Sequence, residues 1–390
     1  PWTEGQNVRH LEPLGFIKFD ILGLETLKTF EDAIYRILRN KGEEATFENA
    51  KKWYFENLHP SVLDMNDQKV YEEVFHDGNY AGTFQFMNDG MQRLGTSSKV
   101  SSLEEIATVS ATYRPGPLSA GVDKLYLKAK FSAEPIKYDH PIIEKVLSKT
   151  FGLIIFQEDI SMSDANVLRK LLTKQGLTGK VKEKKEILRK KFIRGCEKNG
   201  LGFVKGKALW DKMEYFSGYG FSKNHAIPYS IITFQCAWLQ TYYKDEWVSA
   251  FLDHEPAKRK ESAISIAQSL GYKIKGLDIN TSGMQWEVRD GVLISPLTTI
   301  KGLGQAAIEE IIEKRPFASV EELLFDKGVV ARKVNKKSLD ALCRAGAMES
   351  LLDDRFFGTK HFWSAVVVDK PTNKKKLGLN IKKYRKEGDF

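Results

Sequence analysis

The sequence predicts a mainly α (α+β) protein, and two observations carry that reading. Apolar residues recur at helical spacing: Leu27, Phe30, Ile34 and Leu38 in 25–40, then similar patterns through 45–110, 166–198 and 229–252. Stretches that read as strands are few and short, at 10–24, 152–156, 272–279 and 284–294. The 390 residues are 42% hydrophobic and include 23 Phe, 14 Tyr and 7 Trp, enough to fill the cores of two or three domains of roughly 100–200 residues each. Such a composition excludes a disordered chain, a collagen and a disulfide miniprotein.

The elements follow in order. Gly15 and Gly23 bracket an apolar run, consistent with a buried strand after a turn. A helix is expected over 25–40, and helices with short loops over 45–110. Arg114-Pro115-Gly116-Pro117 must interrupt any helix, because proline removes donors and fixes the backbone. Gly152–Phe156 reads as a short strand or helix start, and 166–198 as a charged helix. Gly218–His225 reads as a loop and Tyr229–Leu252 as one long helix rich in Phe, Trp and Tyr. A second unit begins near Pro256, with a helix over 262–270 and two strand regions, the latter turning at Asp290-Gly291. Ile300-Lys301-Gly302-Leu303-Gly304 then leads into a helix over 305–314, and Asn335–Met348 repeats the theme faintly. Residues 351–390 lose periodicity and become basic, so they read as a tail or linker.

The net charge of +9 is concentrated. Lys180–Lys191 carries seven cations against Glu183 and Glu186, and Lys370–Phe390 carries eight against Glu387 and Asp389. Concentrated basic patches favour polyanions such as nucleic acid, although a solvated helix face is the plain alternative for either run. No apolar stretch approaches the roughly 18–20 residues of a membrane span, and the amino terminus has no signal-peptide pattern. Cys196, Cys236 and Cys343 form neither a metal pattern nor a disulfide framework, so a cytoplasmic location is expected. The first residue is Pro, which suggests a fragment or a processed product.

Asp20 sits among Phe16, Ile17, Phe19, Ile21 and Leu22, where a carboxylate is costly unless paired or metal-bound. Lys18, two residues earlier, shares its face on a strand. A Lys–Asp pair at a strand edge and a magnesium-binding aspartate beside a phosphate-binding lysine both fit. No P-loop, His-Glu-x-x-His or Gly-x-Ser-x-Gly run is present. Lys301-Gly302-Leu303-Gly304 is more specific. Two glycines let backbone N–H groups approach a phosphate, and the helix that follows directs its dipole the same way. This is the pattern of a helix-hairpin-helix, which grips the DNA backbone without reading sequence. Tyr219, Lys223 and His225 in a glycine-flanked loop fit a nucleotide pocket. Arg169, Lys170 and Lys174 share one broad helix face, which could hold a triphosphate or be solvated.

Together these segments resemble the family C replicative DNA polymerases, the alpha subunit of bacterial DNA polymerase III. The resemblance rests on Phe16–Leu24, Thr83-Phe84-Gln85-Phe86 with Gly90-Met91, and Tyr113-Arg114-Pro115-Gly116-Pro117. It continues through Phe151–Glu158, Leu168-Arg169-Lys170, Gly218–Ala226, Ile300–Gly304 and Ala345-Gly346-Ala347. It implies residues 1–45 as the end of a β-containing palm, 46–255 as helical fingers, 256–350 as a duplex-gripping helix-hairpin-helix domain and 351–390 as the basic tail.

The resemblance also implies roles. Asp20 would be the third of three palm aspartates holding two Mg2+ ions, with Lys18 beside the incoming or primer phosphates. Arg114, Arg169, Lys170, Lys174, Tyr219, Lys223 and His225 would lie near the incoming deoxynucleoside triphosphate. Lys301, Gly302 and Gly304 would hold primer–template DNA. Some features depart from the family. Its Asp-x-Asp is absent, so a separate N-terminal polymerase piece is expected to supply it, and the chain alone is expected to extend primers little. The stretch between Glu158 and Leu168 is shorter than the family's, Lys170 replaces an arginine, and Ser222 and Asn224 exchange the family's Asn and Ser. A sliding-clamp contact would run through Glu387-Gly388-Asp389-Phe390. The alternative is a noncatalytic DNA-binding protein derived from the polymerase.

Overall fold

The structure is a computed structural model that describes residues 15, 23–160, 179–217 and 220–387. The apolar run 16–22 of the strand expected over 10–24 and the helical stretch 166–178 therefore lie outside the described residues. The rest is mainly helical, with one small sheet.

The first unit starts with helix Glu25–Asn40, as its spacing predicts; Phe30, Ala33, Ile34, Ile37 and Leu38 form its buried face. Three shorter helices begin on side-chain caps: Thr46 accepts from the Asn49 amide, Asn88 from the Gly90 amide and Ser102 from the Glu105 amide. Helix Leu103–Thr112 packs along helix Lys223–Tyr242, which supplies Phe234, Cys236, Ala237 and Leu239 to the core. The single long helix expected over 229–252 is instead two. Helix Lys223–Tyr242 ends where Tyr243 leaves helical geometry (φ −138°), and helix Lys244–His254 follows. The turn lets Trp247 bury completely and donate its indole N–H to the Ala81 carbonyl at 2.7 Å.

Three short strands form the sheet. Lys273–Lys275 runs parallel to the central Val292–Ile294, which pairs antiparallel with Glu287–Arg289 in the register Val288 opposite Leu293. Asp290 and Gly291 both have positive φ (51° and 72°), the requirement of a two-residue hairpin turn. Packing divides the chain later than Pro256. Ala263, Ala267, Tyr272, Trp286 and Leu293 still belong to the first core, whereas Ile279, Leu297 and Ile300 begin a second.

That second core is built on helices Gln305–Lys314 and Lys336–Arg344. It also includes what the sequence reads as a tail or linker. Helix Thr359–Trp363 runs into a wider turn over Ser364–Val368, and helix Lys374–Glu387 returns across it. Phe356, Phe362, Val366, Leu377 and Ile381 are all buried there. The wider turn shifts the apolar face by about one residue, and the lysines dilute the pattern, so the periodicity is hidden. Among the described residues, no helix is long and apolar enough to cross a membrane.

Candidate functional site

The segments singled out in the first unit converge on the start of helix Lys223–Tyr242. Phe156 pairs with Phe221 in a single parallel bridge; the Gln157 amide donates to the Phe221 carbonyl at 2.8 Å and the Phe221 amide to the Ile155 carbonyl at 3.2 Å. A Cβ at Gly220 would lie 3.2 Å from Gln157 Cγ, so the two segments approach closely. Glu158 then caps the helix. Its carboxylate accepts from the Lys223 amide at 2.8 Å, the Asn224 amide at 3.4 Å and the Ser222 hydroxyl at 3.1 Å. An anion here would meet side chains rather than open helix-terminal amides. Asp159 accepts from the Ile155 and Phe156 amides; burial raises its carboxyl above the ordinary range despite those bonds.

Lys223 and His225, expected on a loop, are in the first turn of this helix and point different ways. Lys223 Nζ lies 5.6 Å from the centre of the Phe156 ring. The exposed His225 imidazole packs 5.5 Å from Phe221 and 4.4 Å from Tyr229, ring centre to ring centre. The Arg114 guanidinium stacks on Phe221 at 4.3 Å, so Arg114 and His225 share one ring. Arg114 precedes a proline, which favours its extended backbone (φ −138°, ψ 154°). Its Nε donates to the Ala111 carbonyl at 3.1 Å, and partial burial lowers its affinity for the proton. Tyr113, next to it, donates its hydroxyl to Asn88 Oδ1 at 2.9 Å and lies over Gly90, while Phe84 packs 5.4 Å from Tyr229.

The hairpins of the second unit are exposed. Gly302 has φ +89°, a backbone that only glycine adopts easily, and Lys301 beside it faces solvent. Gly304 has an ordinary φ of −82° and precedes helix Gln305–Lys314, which starts with no side-chain cap. The second copy differs: Asn335 Oδ1 accepts from the Lys337 and Ser338 amides and caps helix Lys336–Arg344. The two copies meet, since a Cβ on Gly302 would lie 3.9 Å from Lys337 Cε. The buried Glu310 ties them together, accepting from the Val330 amide at 3.0 Å and pairing with Lys333 at 2.7 Å.

Comparison with known proteins matches these two regions separately. Residues 26–200 match the bacterial DNA polymerase III alpha subunit finger domain, and residues 271–356 match a helix-hairpin-helix motif. DNA polymerase III subunit alpha of Campylobacter jejuni is 33% identical over 358 residues, which is 87% of this chain and 28% of that protein. The Helicobacter pylori J99 protein of the same name is 31% identical over 369 residues, 88% of this chain and 29% of that protein.

The chain matches a fragment of the bacterial DNA polymerase III alpha subunit, spanning its finger domain and a helix-hairpin-helix region.

It spans less than a third of the length of these alpha-subunit relatives. Of the expected alpha-subunit site residues, Arg114, Lys223 and His225 come together around Phe221 and Phe156, and Lys301, Gly302 and Gly304 form the open hairpin. Lys18, Asp20, Arg169, Lys170, Lys174 and Tyr219 lie outside the described residues, as do Gly388–Phe390 of the expected clamp contact. Among the described residues, no cluster of three His, Cys, Asp or Glu could hold a metal ion, so the magnesium expectation rests on Asp20 and on carboxylates from elsewhere. Sequence reasoning missed Phe221 as the shared ring, Glu158 as the cap and Lys337 as the hairpin's neighbour. An aromatic directly after Gly-Tyr-Gly was the available signal for Phe221; nothing local marks the other two.

Proposed function

We propose that this chain is part of a DNA-directed DNA polymerase that adds deoxynucleotides to a primer 3′ end during replication. The observation that carries this reading is the convergence of four separated segments, 83–91, 113–117, 151–158 and 220–226, on one helix start. Packing alone requires no such gathering of cations and rings at an exposed edge.

In this reading Arg114 and Lys223 neutralise the triphosphate, and His225 with Phe221 and Tyr229 offers a flat surface beside the base or sugar. The resemblance would add Arg169, Lys170, Lys174 and Tyr219 to the residues that meet the nucleotide. Lys301, Gly302 and Gly304 hold the primer–template backbone. By the same resemblance Lys18 and Asp20 would act at the reacting phosphates. When bound, a pair of magnesium ions supplies Lewis-acid activation of the primer hydroxyl and the triphosphate. Such a pair needs several carboxylates, and the 390 residues contain no Asp-x-Asp. A further polymerase segment carrying those carboxylates would complete the site, and the same assembly would meet a sliding clamp through Glu387-Gly388-Asp389-Phe390.

The test is nucleotide-dependent protection. With primer–template bound, a deoxynucleoside triphosphate should slow modification of His225 by diethyl pyrocarbonate, and Lys223→Ala should weaken that effect at least tenfold. Duplex binding with no nucleotide-dependent protection would leave only a noncatalytic DNA-binding role. Primer extension should require added protein carrying an Asp-x-Asp segment, and robust extension by this chain alone would refute that part of the proposal.

A further inference from the structure

We infer that helix Lys374–Glu387 is part of the duplex-binding surface, continuing the track of phosphate contacts that starts at the first hairpin. The inference rests on the reading of that hairpin as a DNA grip and extends it to a segment outside the matched motif, which ends at residue 356.

The helix is fixed in place. Leu377 and Ile381 are in the second core, and the buried Asn380 donates to the carbonyls of Ala365 (3.0 Å) and Asp369. Its opposite face presents Lys375, Leu379 and Lys382 to solvent. Seven residues of helix separate the two lysines, about 10.5 Å along one face, far enough to meet two phosphates rather than one.

A chain of contacts links the hairpin to this helix. Gly302 abuts Lys337; Lys336, next in chain, donates to the Val368 carbonyl at 2.8 Å; Lys370 donates to the Val334 carbonyl at 3.4 Å. Asp369 then faces Lys376 at 3.6 Å and Lys383 at 3.9 Å on the terminal helix. Asp369 and Asp326 partner three of the helix's lysines, whereas Lys301, Lys337, Lys375 and Lys382 make no ion pair with any described residue. The proposed path from hairpin to helix runs through these four unneutralised cations, which stand on the elements those contacts join. A polyanion with regular charge spacing fits such a path, and an exposed Gly-turn at its start favours the sugar–phosphate backbone of a duplex.

Binding of the whole chain to a 30-base-pair duplex, measured by fluorescence anisotropy between 50 and 300 mM salt, tests this. Each lost phosphate contact lowers the slope of log K against log salt by about 0.9, so Lys375→Ala/Lys382→Ala should lower it by about 1.8. Lys51→Ala/Lys52→Ala, the same charge change on the first unit, should leave the slope unaltered. If it lowers the slope equally, the effect is net charge and the inference is overturned. If Lys301→Ala/Lys337→Ala lowers the slope and Lys375→Ala/Lys382→Ala does not, the inference fails and the hairpin reading stands. If neither pair matters, both fall. Urea unfolding of each variant confirms folding, since all four lysines are exposed.

Discussion

The Arg36 guanidinium meets the Asp253 carboxylate at 2.5 Å across 217 residues of chain. The same side chain pairs with Asp32 at 3.1 Å and donates to the Trp286 carbonyl, while Asp253 accepts from the Trp286 amide at 3.2 Å. One buried cation therefore links the first helix, helix Lys244–His254 and the residue that enters the sheet. Trp286 lies where the first core gives way to the second, so this cluster fixes the approach of the hairpin unit to the fingers.

Two carboxylates share that cation, and they differ. Burial raises the Asp253 carboxyl to about 6, although Arg36 opposes the shift. Burial acts on Asp32 too, but the His254 hydrogen bond and the Arg36 charge outweigh it and leave Asp32 lowered. Between about pH 4 and pH 6 the folded chain keeps a proton on Asp253 that the unfolded chain has lost. Stability from this group is complete below pH 4 and falls as pH rises to 6, by about 3 kcal/mol at most. Asp253→Asn should remove that slope. Urea unfolding of both proteins from pH 4 to 7 checks it; a difference in stability that stays constant with pH would refute the assignment.

At Gly90 the constraint is steric. A Cβ there would stand 2.0 Å from the Tyr113 hydroxyl and 2.8 Å from its ring carbon, so Tyr113 must move and give up its bond to Asn88. Gly90→Ala should cost about 1–3 kcal/mol in urea unfolding, as overpacking typically does. In a Tyr113→Ala background the cost should nearly vanish. An equal cost in both backgrounds would show that the helix backbone, and not the tyrosine, is responsible.

How much of this was legible beforehand depends on how local the signal is. Helix Glu25–Asn40 and the Asp290-Gly291 turn follow from spacing and turn chemistry within a few residues, and the structure has both. Tyr243 carries no breaker residue, so the division of the 229–252 run follows only from the burial of Trp247 against Ala81. Helix Lys374–Glu387 was hidden because its apolar residues are few and its lysines many, and its face is defined by Phe362 and Val366 of another element. Arg114, Lys223 and His225 could be named as candidates from sequence, but Phe221, the ring that Arg114 and His225 share, required the Phe156 bridge, a pairing 65 residues apart in sequence that no periodicity reveals.

Glu158 offers a test of that assembly. It is the only described side chain that accepts from the Lys223 and Asn224 amides, and it also holds Ser222. Replacing a cap typically costs about 0.5–2 kcal/mol, so Glu158→Ala should lower stability by that amount, and Glu158→Gln by less. If the cap also positions Lys223, nucleotide protection of His225 should weaken in Glu158→Ala at temperatures where the variant is fully folded. Unchanged protection would mean that the cap serves stability alone.

Gly302 and Gly304 separate folding from binding within one hairpin. Gly302 has φ +89°, so alanine there strains the backbone and costs about 1 kcal/mol before any DNA is present. Gly304 has φ −82°, and a Cβ on it would meet no atom of the protein within 4 Å. Nothing in the folded chain requires glycine at 304, whereas a phosphate drawn against the uncapped helix start would. Gly304→Ala should therefore cost at most about 1 kcal/mol in urea unfolding, the difference between glycine and alanine at a helix start, and weaken duplex binding several-fold, with the salt slope preserved because no charge is lost. Wild-type affinity in this variant would mean that the backbone does not approach DNA at this turn, and that the surrounding lysines bind without it.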